Sequence, residues 1–123
     1  MSIEQWESKQ NAVLVKSFAF AVRMLKLNKH LRLTQQEYII SKQLIRCGTS
    51  IGANIEEAVG AISKADFSAK ISIAYKEARE TSYWLRLLYE AEYLDEKLFR
   101  SLHDDCQTLC RILFSILRTT GRA

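Results

Sequence analysis

Proline is missing from these 123 residues altogether, and glycine occurs only four times. Proline removes a helix donor and clashes with the preceding turn, so a chain without it is free to run in long, unbroken helices. Histidine is also scarce, with two residues. Neither has a glutamate three positions earlier, Leu27 preceding His30 and Arg100 preceding His103, which excludes the Glu-x-x-His pairs of a di-iron carboxylate bundle. No glycine-rich phosphate loop is present. Catalysis is left almost without candidates, so no enzyme activity and no cofactor are expected. The three cysteines, Cys47, Cys106 and Cys110, are an odd number with two at i, i+4. That is no disulfide framework, and it fits a cytoplasmic location. His103, Cys106 and Cys110 share one helix face, but zinc usually takes four ligands and no Cys-x-x-Cys completes the set. Small buried hydrophobes are the expected role of these cysteines, and no metal is expected. Uncharged runs such as Cys47 to Ile55 fall far short of the roughly 20 apolar residues of a membrane span. The start, Met1-Ser2-Ile3-Glu4, lacks the basic-then-apolar pattern of a signal peptide.

What is present reads as one all-α domain over residues 1–123, an antiparallel up-and-down four-helix bundle with a polar tail from about residue 119. Hydrophobic residues make up 48% and charged residues 26%, proportions of a globular chain able to bury a core. Helix one is expected from about Glu4 to Leu27. Thr34-Gln35-Gln36-Glu37 has the form of a capping box opening helix two, which runs to about Val59 with Gly60 as its stop. Ser63-Lys64-Ala65-Asp66 repeats the cap for helix three, to about Glu92, and Asp95 caps helix four, to about Arg118. Short connections place sequence neighbours side by side.

At 100° per residue each helix shows an apolar face. Helix two offers Ile40, Leu44, Gly48, Ile51, Ile55, Ala58, Val59 and Ile62. Helix three offers Phe67, Ile71, Ala74, Ala78, Leu85 and Tyr89, and helix four Leu98, Leu102, Leu109, Leu113 and Ile116. Gly48 and Gly52 within helix two point to a neighbouring backbone that comes close. Helix one carries two stripes. Leu14, Val15, Phe18, Ala21, Val22 and Leu25 are the expected core, with Val13, Phe20, Met24 and Leu27 nearly opposite. Helix three has surplus apolar residues at Ile73, Trp84 and Leu87. Surplus apolar surface marks a partner face, so Val13, Phe20, Met24, Leu27, Ile73, Trp84 and Leu87 are expected in a homo-oligomer interface.

Between Gln43 and Leu88 the chain reads Gln43-Leu44-Ile45-Arg46, Ser50-Ile51-Gly52-Ala53-Asn54-Ile55-Glu56-Glu57, Ser63-Lys64-Ala65-Asp66-Phe67 and Glu77-Ala78-Arg79-Glu80-Thr81-Ser82-Tyr83-Trp84. This pattern resembles the four helix bundle protein family, also called the 23S rRNA intervening-sequence protein family, over almost the whole chain. Ala58 departs from it, since the family usually has glycine there. The resemblance implies a closed four-helix bundle assembling as a ring-like homopentamer, with little established biochemistry. A similar bundle, the accessory protein of diversity-generating retroelements, is a basic pentamer associated with nucleic acid.

Two polar sets remain. Arg46, Ser50, Asn54 and Glu57 match the family pattern and share one sector of helix two. They either fix register across a seam or form a small polar site. Lys9, Lys16 and Arg23 recur every seven residues, with Lys26 and Lys29 nearby, in a first segment (residues 1–33) whose net charge of +4 equals that of the whole chain. Such a stripe either neutralises phosphates without reading bases or is a solvated face. The resulting expectation is a non-catalytic homo-oligomer, pentameric by resemblance, that contacts RNA or DNA through Lys9, Lys16, Arg23, Lys26 and Lys29. The alternative is a protein–protein interaction scaffold or adaptor that binds no nucleic acid.

Overall fold

The computed structural model describes residues 3–120, with side chains from residue 7 onward. Residues 121–123 of the expected tail lie outside the described residues. Four α-helices follow one another: α1 Ile3–Leu33, α2 Ile40–Val59, α3 Lys64–Glu90 and α4 Glu96–Thr119. Each packs on its neighbours in sequence, α1 closes onto α4, and among the described residues the backbones of the diagonal pairs do not come close. This is the expected up-and-down bundle, and the α1–α4 seam is its least extensive. Among the described residues no helix is long and apolar enough to cross a membrane.

The caps of α3 and α4 form as expected. The Ser63 hydroxyl accepts from the Asp66 amide at 3.0 Å, and the Asp95 carboxylate from the Leu98 amide at 2.7 Å. The capping box at Thr34 does not form. Helix α1 continues to Leu33 instead of ending at Leu27, and the Thr34 and Gln35 amides both bond the His30 carbonyl. Gln36, at φ 54°, then turns the chain. Glu37 still caps α2, but from outside it: its carboxylate accepts from the amides of Ile39, Ile40 and Ser41 at 3.2, 3.1 and 2.6 Å. The same acid therefore serves the same helix end in a different register. At the end of α3, Glu92 is left-handed at φ 68°. The Tyr93 amide reaches the Leu88 carbonyl at 2.9 Å and the Glu92 amide the Tyr89 carbonyl at 3.0 Å, the paired bonds of a Schellman ending.

The core contains Leu44, Ile51, Ile55, Ile71, Ala74, Ala78, Leu85, Leu102, Cys106, Leu109, Leu113 and Ile116. On α1, however, the two stripes exchange roles. Val13, Phe20, Met24 and Leu27 are buried with Leu31 inside this chain's own core, while Val15, Phe18, Val22 and Leu25 face outward, the first two about 70% and 69% exposed. Val13, Phe20, Met24 and Leu27 are thus unavailable to an interface. Both stripes are apolar, so periodicity alone does not choose between them. The α2 glycines do: a Cβ on Gly48 would meet Met24, and one on Gly52 would meet Ser17, so the small residues of α2 receive the Ser17–Met24 side of α1. On α3, Ile73 and Leu87 are exposed, whereas Trp84 packs against the core. Val59 and Ile62, expected on the α2 core face, are exposed as well.

Candidate nucleic-acid interface

The five basic residues expected to act together on α1 divide into two groups. Lys9 and Arg23 face α4. The Lys9 ammonium bonds the Ser115 hydroxyl. The Arg23 guanidinium lies 2.6 Å from the Asp105 carboxylate and 2.9 Å from the Ser101 hydroxyl. These contacts stitch the least extensive seam of the bundle. Lys16, Lys26 and Lys29 stand in solvent and belong to no ion pair among the described residues.

The polar set of α2 lies along the α2–α3 seam. Arg46 bridges Glu77, at 3.3 Å, and Glu80, and Glu57 pairs with Lys70 at 3.0 Å. Within α2 the Asn54 amide donates to the Ser50 carbonyl and hydroxyl at 2.9 and 3.0 Å. Glu80 also accepts from the Trp84 indole at 2.9 Å. That indole bond, then Arg46, hold the Glu80 carboxyl below the usual range, and the bond to Glu80 raises the Arg46 pKa. Charges spaced along two helices in this way fix their register.

A third basic surface was not visible in the sequence. Helix α3 carries Arg79 and Arg86, and α4 carries Arg111 and Arg118, each pair seven residues apart. All four line one open groove between the two helices, together with Tyr75, Ser82, His103, Gln107 and Phe114. Among the described residues no aspartate or glutamate lines it. Arg79 bonds the Tyr75 hydroxyl at 3.3 Å, Arg86 stands 6.0 Å from the Tyr83 ring centre, and Arg111 bonds the Thr108 hydroxyl at 3.2 Å. None of the four meets a carboxylate among the described residues.

The reason lies in how the helices divide their charge. Residues 63–92 carry five basic and five acidic side chains, which look neutral in a linear window. Yet Glu77 and Glu80 point to Arg46 on α2, and Asp105 points to Arg23 on α1. These three acids of α3 and α4 are drawn to the outer seams, and the four arginines are left along the groove. The seven-residue spacing of Arg79 and Arg86, and of Arg111 and Arg118, was the available signal.

Rings sit among these cations. Tyr75 and Phe114 meet across the groove at 5.7 Å. Further along, Tyr89 stacks on Phe99 at 4.4 Å, and Phe99 on His103 at 5.0 Å. His103 Nε2 is 2.9 Å from the Ser82 hydroxyl, and burial followed by the Arg86 charge lowers its pKa. His103 is thus held by Ser82, not gathered with Cys106, whose thiol donates to the Ala78 carbonyl at 3.2 Å. Burial pushes the Cys47 thiol up to about 11. Among the described residues no three His, Cys, Asp or Glu side chains stand where they could share a metal ion.

A crystal structure of a protein with unknown function from the S23 ribosomal protein family of Bacteroides thetaiotaomicron is similar to this chain. The TM-score is 0.88 at 48% identity, covering 89% of this chain and 98% of that one. No curated protein matches. Residues 9–115 match the 23S rRNA-intervening sequence proteins, which are not a known enzyme family. The chain belongs to the 23S rRNA-intervening sequence protein family.

Proposed function

We propose that this protein is a non-catalytic, self-associating bundle that holds RNA by charge, with the α3–α4 groove as its principal contact. The observation carrying the reading is that Arg79, Arg86, Arg111 and Arg118 line one groove in which no carboxylate stands among the described residues. Cations concentrated without counter-charges attract phosphates. Lys16, Lys26 and Lys29 add a second, more diffuse field. RNA is favoured over DNA by the family's tie to sequences that intervene in 23S rRNA. The non-catalytic reading is supported by the buried, high-pKa Cys47 thiol. The Ser82–His103 pair has no carboxylate hydrogen-bonded to its imidazole among the described residues, so it lacks the third group of a nucleophilic triad.

Self-association is assigned to the outward stripe of α1. Val15, Phe18, Val22 and Leu25 recur at three- and four-residue steps, the a/d spacing of a helix seam, and are all exposed. A second copy of this chain is the occupant, in the ring of five that the family resemblance implies.

Two paired substitutions test the two halves separately. Phe18→Asp with Leu25→Asp should give smaller particles in sedimentation while retaining helical circular dichroism. Arg86→Glu with Arg118→Glu should abolish RNA binding while retaining both fold and mass. Unchanged mass in the first variant removes the stripe from the interface and leaves it to a different protein partner. Unchanged RNA affinity in the second removes the groove.

A further inference from the structure

We infer that the α3–α4 groove takes a single strand of RNA laid along the helices, with at least one base against the Tyr75–Phe114 ring pair, and does not take a duplex. This rests on the proposed RNA-binding function and names the form of nucleic acid that fits the same site.

The spacing of the cations argues for an extended ligand. Seven residues of α-helix rise about 10.5 Å, so Arg79 and Arg86 stand two turns apart along the groove, as do Arg111 and Arg118. The Tyr75–Phe114 contact and the bond from Cys106 to Ala78 set the register of the two antiparallel helices. In that register the line from Arg86 to Arg118 runs roughly 25 Å along the groove. That length suits several consecutive nucleotides and no single phosphate or mononucleotide.

The width argues for one strand. The axes of packed helices lie roughly 8–10 Å apart, so the groove is a narrow furrow along their surface, suited to one backbone with its bases splayed. An A-form RNA duplex, a rigid rod whose bases are already paired and stacked, can only rest across the rim. The rings sit inside the cleft, among the cations, not on a separate face: Phe114 is exposed and Tyr75 half-buried. Cationic track and ring platform together are the chemistry by which proteins hold single strands, since every base has a face that stacks. In a duplex those faces are already covered. His103, kept neutral near pH 7 by its lowered pKa, adds a ring to the wall without adding a charge.

The test is fluorescence anisotropy at fixed salt with three labelled probes of equal length: a single RNA strand, its blunt duplex, and an abasic strand with the same phosphates. Each is titrated with the wild-type protein and with Phe114→Leu, an exposed position where circular dichroism should remain unchanged. The single strand is expected to bind roughly tenfold more tightly than the duplex, and the abasic strand weakly. Phe114→Leu should cost the base-bearing strand roughly tenfold, the size of one stacking contact, and the abasic strand little. Equal or tighter binding of the duplex, or of the abasic strand, overturns the inference while leaving RNA binding in place. No binding of any probe at low salt overturns the RNA-binding reading itself. The comparison among probes with wild-type protein decides the matter even if Phe114→Leu proves unstable.

Discussion

Met24 occupies the space that a side chain on Gly48 would need: a Cβ built on Gly48 falls 2.5 Å from Met24 Cγ and 2.8 Å from its sulfur. Four residues on, the nearest atoms to a Cβ at Gly52 are the Ser17 carbonyl and hydroxyl oxygens, at 3.4 Å, an ordinary contact. Alanine in a helix interior is worth about 1 kcal/mol over glycine, while overpacking a core costs about 1–3 kcal/mol. Gly48→Ala should therefore destabilise the bundle by about 1 kcal/mol net, and Gly52→Ala should be neutral or stabilising by up to about 1 kcal/mol. Urea unfolding at one protein concentration checks the contrast, and equal effects at the two positions would contradict it.

That contact also explains which part of the fold was legible. The four helices, three of their caps or stops (Gly60, Ser63 and Asp95) and the core faces of α3 and α4 follow from local pattern. The orientation of α1 does not, because Val15-Phe18-Val22-Leu25 and Val13-Phe20-Met24-Leu27 are equally apolar. What decides is tertiary: Gly48 and Gly52 give a long side chain and a buried serine room on one side only. The expectation of a surplus apolar stripe on α1 survives with the other set of residues.

Glu37 is buried, and its carboxylate accepts from three backbone amides, those of Ile39 and of the first two residues of α2. Replacing a capping acceptor with alanine costs about 0.5–2 kcal/mol. Glu37→Ala should sit near the upper end of that range, because three donors are orphaned together. Glu37→Gln, which keeps one acceptor oxygen, should cost about half as much. Thermal melts of both variants read the difference, and a harmless Glu37→Ala would mean that water replaces the cap.

Glu92 holds a left-handed conformation that costs a residue with a Cβ about 1–2 kcal/mol. Glycine has no such penalty but gains freedom in the unfolded chain, which opposes the benefit. Glu92→Gly should raise stability by about 0.5–1 kcal/mol, and a fall in melting temperature would show that the Glu92 side chain has a role in the folded protein.

His103 should make stability fall in mild acid. Burial and the Arg86 charge lower its folded pKa, with Asp104 pulling the other way. The unfolded chain takes up a proton near pH 6.5 that the folded chain resists. Stability is then fully present above about pH 6.5 and is lost as pH drops through the folded value. Melting temperatures measured from pH 7.5 to 5 should decline more steeply for the wild type than for His103→Gln. Parallel curves would assign the acid sensitivity to other groups.

The basic stripe of α1 was legible as charge but not as contact, because a heptad of cations looks the same whether it faces solvent or a neighbouring helix. Lys9 and Arg23 turn out to meet Ser115 and Asp105 on α4. The α3–α4 groove was hidden for the converse reason. Its arginines lie in segments whose charges nearly cancel, and only the folding of Glu77, Glu80 and Asp105 toward other helices separates the signs.

The most direct test of RNA binding by this groove is the salt dependence of affinity for a labelled RNA strand. Each neutralised phosphate on a single strand contributes a slope of roughly −0.7 to log K against log salt, so four arginines should give roughly −3. Arg79→Gln with Arg111→Gln should bring that to about half, while Lys16→Gln, Lys26→Gln and Lys29→Gln together should lower it less. A slope that follows the three lysines and ignores the arginines would place the RNA on α1, and a flat line at undetectable affinity would mean that the groove holds no RNA at all.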